Sequence, residues 1–112
     1  MKIKQYDIWL ANLNPAKGTE PGKIRPVIII QTDLLNNTHP STLICPITTN
    51  VLENVDILRI HLKKGQTDVK SDVLLDQIRA IDNKRLIEKL GKLDTNQIKK
   101  IQHNLKVILD LE

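Results

Sequence analysis

Apolar residues in this chain come in short dense runs set between polar stretches, and a helical spacing replaces them only near the end. DIWLANL (7–13) is a largely apolar run of strand length. It leads into NPAKGTEPGKI (14–24), where two prolines and two glycines punctuate a loop that is long for a hairpin connection. RPVIIIQ (25–31) carries the longest aliphatic run, Val27 to Ile30, and reads as a strand buried on both faces. Pro26 has no N–H, so it is expected at the start of that strand or at an edge. DLLNNTHPS (33–41) reads as a turn of helix or a loop. TLICPIT (42–48) reads as a strand with a bulge or a missing ladder bond at Pro46. LRIHL (58–62) alternates, with Leu58, Ile60 and Leu62 on one face and Arg59 and His61 on the other.

KKGQTDVKSD (63–72) is polar and reads as a loop, and VLLDQIRAI (73–81) as one strand, bulged or regular. In the regular form Gln77 and Arg79 share a face. NKRLIEKLGKL (83–93) fits a short helical turn followed by a brief strand. DTNQIKKIQHNLKVILDL (94–111) is the clearest helix. Asp94 and Gln97 have capping-box spacing, and Ile98, Ile101, Leu105 and Ile108 form an apolar stripe. Several short strands, long loops and a terminal helix predict a mainly β fold with appended helix: a small, strongly bent sheet or barrel.

Composition narrows this. A chain of 112 residues fits one domain, 1–112, with a core built from Ile, Leu and Val because Phe is absent. The single Cys45 makes no internal disulfide and reads as a small buried residue. No run approaches the roughly 18 apolar residues of a membrane span, and no signal peptide is visible, so a cytoplasmic location with no membrane partner is expected. The net charge of +4 permits a nucleic-acid partner without demanding one. His39, His61 and His103 are far apart, match no zinc spacing and read as surface residues, so no metal site is expected. No phosphate-binding glycine loop, dinucleotide motif or nucleophile elbow is present.

What remains is polar groups at strand ends. Arg25 opens the second strand and Thr48 closes the third. If those strands pair as an antiparallel hairpin, guanidinium and hydroxyl meet at one rim, with Glu20 in the loop leading in. Such a set can bind a phosphate and move a proton. By residue type alone, a solvated charge, a β-former and a loop residue explain the same positions.

DIWLANLNPAKGTEPGKIRPVIIIQ resembles the N-terminal signature of the MazF/PemK toxin endoribonucleases: a Gly-Asp-(Ile/Val)-(Trp/Tyr) strand, an NPxxGSE-like loop, then Arg-Pro and an apolar strand. CPITTN resembles their third-strand motif, and DVLLDQIRAIDNKRL their VLLDQIRTIDKxRL segment. The likeness runs from about residue 3 to the final helix. Tyr6 stands where the family usually has Gly, Thr19 where it has Ser, and Pro21 where a polar residue is common. Residues 50–71 carry little of the pattern.

The resemblance implies an SH3-like barrel with a C-terminal helix, usually a homodimer. It implies cofactor-free, metal-independent cleavage of single-stranded RNA and an antitoxin whose acidic, flexible tail occupies the RNA groove. The family's catalytic arginine and threonine fall on Arg25 and Thr48, and its loop glutamate on Glu20. Lys17, Thr19, Lys23, Thr49 and Gln77 are the expected RNA contacts, with a structural role equally open for Gln77. The chemistry agrees. RNA carries its own nucleophile, the 2′-OH, and Arg25 offers planar donors to phosphate but is a poor base. An alternative on the same barrel is a non-enzymatic, CcdB-like toxin that binds gyrase.

Overall fold

The computed structural model describes residues 2–15, 18–19 and 22–111. Seven strands follow in order: β1 (Asp7–Asn12), β2 (Ile24–Ile29), β3 (Ser41–Thr48), β4 (Arg59–Leu62), β5 (Ser71–Leu74), β6 (Arg79–Asp82) and β7 (Leu86–Lys92). The 3-10 turn Asn83–Arg85 joins the last two, and the helix α1 (Thr95–Ile108) follows. The spatial order is β4-β5-β3-β2-β1-β7, with β6 also paired to β3. Every pairing between these strands is antiparallel. The sheet bends into a half-barrel packed against α1, the mainly β architecture expected.

β2 sits at the centre because both of its faces are apolar. Ile28 joins a cluster with Ile8, Ile47, Ile60 and Val73, while Val27 and Ile29 join a second with Trp9, Ala11 and Ile44. Period-two geometry sends successive aliphatic side chains to opposite clusters. Pro26 is tolerated because the β2–β3 ladder begins only at Val27↔Pro46, so residues 24–26 are paired to β1 alone. Pro46 marks the break expected of it. Ser41 to Ile44 pair with β6, Ile47 and Thr48 pair with β5, and that side of the strand is unpaired between them.

Two readings of the chain are corrected. The 73–81 strand is two strands, β5 and β6, separated by a turn in which the Gln77 amide donates to the Leu74 carbonyl at 3.2 Å. Gln77 is therefore a turn residue and does not share a strand face with Arg79. The 63–72 loop is shorter than expected, since Ser71 and Asp72 begin β5 and are buried.

α1 forms as its sequence dictates. The Asp94 side chain accepts from the Gln97 amide at 2.8 Å, and the Gln97 side chain accepts from the Asp94 amide at 3.0 Å. Ile101 is fully buried in the first cluster, and Ile98, Leu105 and Ile108 pack against it. Cys45 lies in the same cluster, and burial, aided by the charge of Asp76, pushes its thiol up to about 12. Tyr6 has φ +70°, a left-handed conformation that costs a residue with a Cβ on the order of 1 kcal/mol. That explains why a glycine suits this place. Here the ring packs against the core and the hydroxyl accepts from Gln102 at 3.2 Å.

Candidate functional site

The β2–β3 register fixes the site. Stepping two residues out from Val27↔Pro46 sets Arg25 opposite Thr48. At this point β2 has no ladder to β3, so the strands open and leave a rim between them. The half-buried Arg25 is held by two backbone carbonyls. Its Nε donates to Gly22 at 2.9 Å and one terminal nitrogen to Ile47 at 3.4 Å. Among the described residues, no carboxylate forms an ion pair with it. Among the described residues, the remaining guanidinium donors have no acceptor.

Thr48 is half-buried, and its Oγ1 accepts from the Asn50 amide at 3.1 Å. With that oxygen already accepting, the hydroxyl proton is available for donation. Both residues line an open cleft of about 1060 Å³. Leu10, Pro26 and Leu90 give it apolar surface, and Lys23 and Thr49 flank the rim.

The loop at 64–69 between β4 and β5 forms another wall of the cleft. It is tied down. The Gln66 and Gln97 side-chain amides bond reciprocally at 2.6 and 2.9 Å, and Gln66 also donates to the Lys92 carbonyl at 3.1 Å. The Gln97 amide nitrogen reaches the His61 carbonyl at 3.0 Å, so the first turn of α1 braces the wall. Inside the loop, the Thr67 and Ser71 hydroxyls both donate to the Val69 carbonyl, at 2.6 and 2.9 Å.

The structure thus brings Arg25, Lys23, Thr48 and Thr49 together. Glu20 and Lys17 lie outside the described residues. Thr19 is exposed on a turn and is not among the cleft's lining residues. Gln77 is not brought to this cleft. It lines a separate one of about 180 Å³ with Leu52, Leu58 and Arg59. No group of three His, Cys, Asp or Glu among the described residues is placed to hold a metal ion. No described helix is long and apolar enough to cross a membrane.

One constellation escaped the sequence. Asp72, opposite Thr48 in the β3–β5 ladder, is wholly buried. It accepts from the Leu52 amide at 3.0 Å, from Arg59 at 3.0 Å and from His61 Nδ1 at 2.6 Å, the ring carrying its proton there. Burial alone raises its pKa. The bonds from Leu52, His61 and Arg59 outweigh that and hold it below the usual aspartate range. His61, expected on the surface, is half-buried by this bond. The available signal was the face shared by Arg59 and His61, which needed an acceptor on the neighbouring strand.

The chain matches the family model of PemK-like, MazF-like toxins of type II toxin-antitoxin systems over residues 4–109. Its fold is similar to that of MazF from Deinococcus radiodurans, at TM-score 0.86 and 20% identity over 99% of each chain. It is also similar to the Mycobacterium tuberculosis toxin MazF-mt6, at TM-score 0.80 and 21% identity over 95% of this chain and 98% of that one. A mycobacterial endoribonuclease in complex with its cognate antitoxin superposes at TM-score 0.77 and 15% identity, over 99% of this chain and 96% of that one.

Proposed function

The chain belongs to the PemK-like, MazF-like toxins of type II toxin-antitoxin systems, and from that premise we propose that it cuts single-stranded RNA without a metal ion. One observation carries the proposal: the Arg25 guanidinium lines an open cleft with Thr48, and among the described residues its hydrogen-bond partners are carbonyls. A phosphodiester would supply an anion for this charge.

In the proposed reaction the 2′-oxygen attacks the adjacent phosphorus. A 2′-O–P bond forms, the P–O5′ bond breaks, and the products are a 2′,3′-cyclic phosphate and a 5′-OH. Arg25 stabilises charge on the phosphorane oxygens, where a preorganised donor is worth most. It also gives a proton to the departing 5′-oxygen. Thr48 donates its hydroxyl to a phosphate oxygen. Glu20 is our candidate to accept the 2′-OH proton. Lys17, Thr19, Lys23 and Thr49 contact the RNA backbone, and Gln77 reads a base further along the strand. The partner is an antitoxin with an acidic, flexible tail that competes for the same cleft, as its basic rim favours. The toxin acts in the cytoplasm as a homodimer.

The test is purified protein with a long RNA in EDTA, with the cut ends mapped. The expected result is cleavage at a short sequence with cyclic phosphate ends, stopped by a 2′-deoxy substitution at the cut site. Cleavage of that deoxy substrate overturns the mechanism. Gyrase inhibition with no RNA cutting overturns the activity.

A further inference from the structure

The segment between β3 and β4, residues 49–58, leaves the strand beside Thr48 and has little backbone hydrogen bonding of its own, such as Val51 to Thr49 at 3.1 Å and Leu58 to Val55 at 3.0 Å. Its first residues are held instead by side chains from the strands beneath. Asp72 Oδ2 accepts from the Leu52 amide at 3.0 Å. The same oxygen accepts from Arg59 at 3.0 Å, and that same Arg59 nitrogen donates to the Asn50 carbonyl at 2.9 Å. The Asn50 amide then donates to Thr48 Oγ1 at 3.1 Å. A hydrogen-bonded path therefore runs from a buried carboxylate through Arg59 and Asn50 to the Thr48 hydroxyl.

We propose that Asp72 is a positioning residue for the Thr48 hydroxyl, acting through the backbone of residues 50–52. The proposal rests on the RNA-cleaving reading of the cleft. An ionised carboxylate is a stronger acceptor than a neutral one, so it fixes Leu52 and Arg59 more firmly than loop contacts do. Arg59 in turn fixes the Asn50 carbonyl and, through the Asn50 Cα, restrains the N–H of the same residue. The Asn50 N–H occupies one lone-pair direction of Thr48 Oγ1, which steers the hydroxyl proton away from the loop and toward the cleft. Asp72 never meets the substrate. Its charge sets where the donor points.

The test compares wild type, Asp72→Asn, Thr48→Val and the double variant on one synthetic RNA that the wild type cuts, alongside amide hydrogen exchange without RNA. For Asp72→Asn the expected result is a kcat lower by about tenfold, with KM changed by less than about twofold. The double variant should cut no more slowly than Thr48→Val, because Asp72 acts only through that hydroxyl. Exchange at Asn50 and Leu52 should accelerate. An unchanged kcat, or losses that multiply in the double variant, overturns the proposal. If Asp72→Asn does not fold, Arg59→Met cuts the link to the Asn50 carbonyl while leaving Asp72 bonded to Leu52 and His61. A lowered kcat then supports the proposal, and an unchanged one overturns it. If wild type cuts no RNA, the functional reading fails separately, and exchange at Asn50 and Leu52 still decides whether Asp72 positions the segment.

Discussion

Arg25 on β2 and Arg59 on the edge strand β4 stand on one bent sheet with two strands between them, and they are used in opposite ways. Arg59 is mostly covered, 13% exposed at its side chain, and spends its charge on the wholly buried Asp72. Arg25 is held by two carbonyl oxygens, which fix its direction but leave its charge uncompensated among the described residues. The contrast teaches that Arg59 is internal scaffolding, whereas Arg25 keeps a charge that the proposed phosphate contact would use.

Removing each in turn gives the sharpest test. Arg25→Ala should lower the RNA cutting rate by about 10³-fold, the range seen when a preorganised donor is lost, with its melting temperature within about 2 °C of wild type. Substantial residual cutting would erase the distinction. Arg59→Ala should show the reverse emphasis, losing on the order of 3 kcal/mol in denaturant titration because it strands a buried carboxylate. A neutral result would mean that Asp72 is satisfied by Leu52 and His61 alone.

Acid sharpens the comparison further. Asp72 titrates lower in the folded chain than in the unfolded one. Its contribution is full above the unfolded aspartate value near pH 4, and it is lost as pH falls through the lower folded value. Stability measured downward from pH 5 should therefore decline, and less steeply in Asp72→Asn. Asp33 and Asp94, also lowered by their hydrogen bonds, should keep part of the slope in that variant. The smallest effect expected is from Gln97→Ala, about 1 kcal/mol from the lost return bond of the capping box, with a looser cleft wall detectable as faster exchange at residues 64–69.

Much of this was legible because it is local. The aliphatic run of β2, the alternation at Ile60 and Leu62, and the Asp94–Gln97 capping box are written in adjacent residues. That Arg25 and Thr48 line one cleft was legible because antiparallel pairing puts the start of one strand beside the end of the next. The break between β5 and β6 was not, since it follows from β3 changing partners at Pro46. Asp72 looked like the end of a polar loop. Its burial depends on donors at Leu52, Arg59 and His61, which only the folded sheet assembles. Tyr6 showed as a departure from pattern, but its positive φ needed coordinates.

The bond between Gln97 and Gln66 has a consequence for truncation. The cleft wall at 64–69 is braced by Gln97 in the first turn of α1, 31 residues beyond Gln66. A chain cut before Asp94 would keep both sides of the Arg25–Thr48 rim and lose the post that braces the wall. Such a fragment should first become indifferent to which RNA it admits, and only afterwards slow at cutting it.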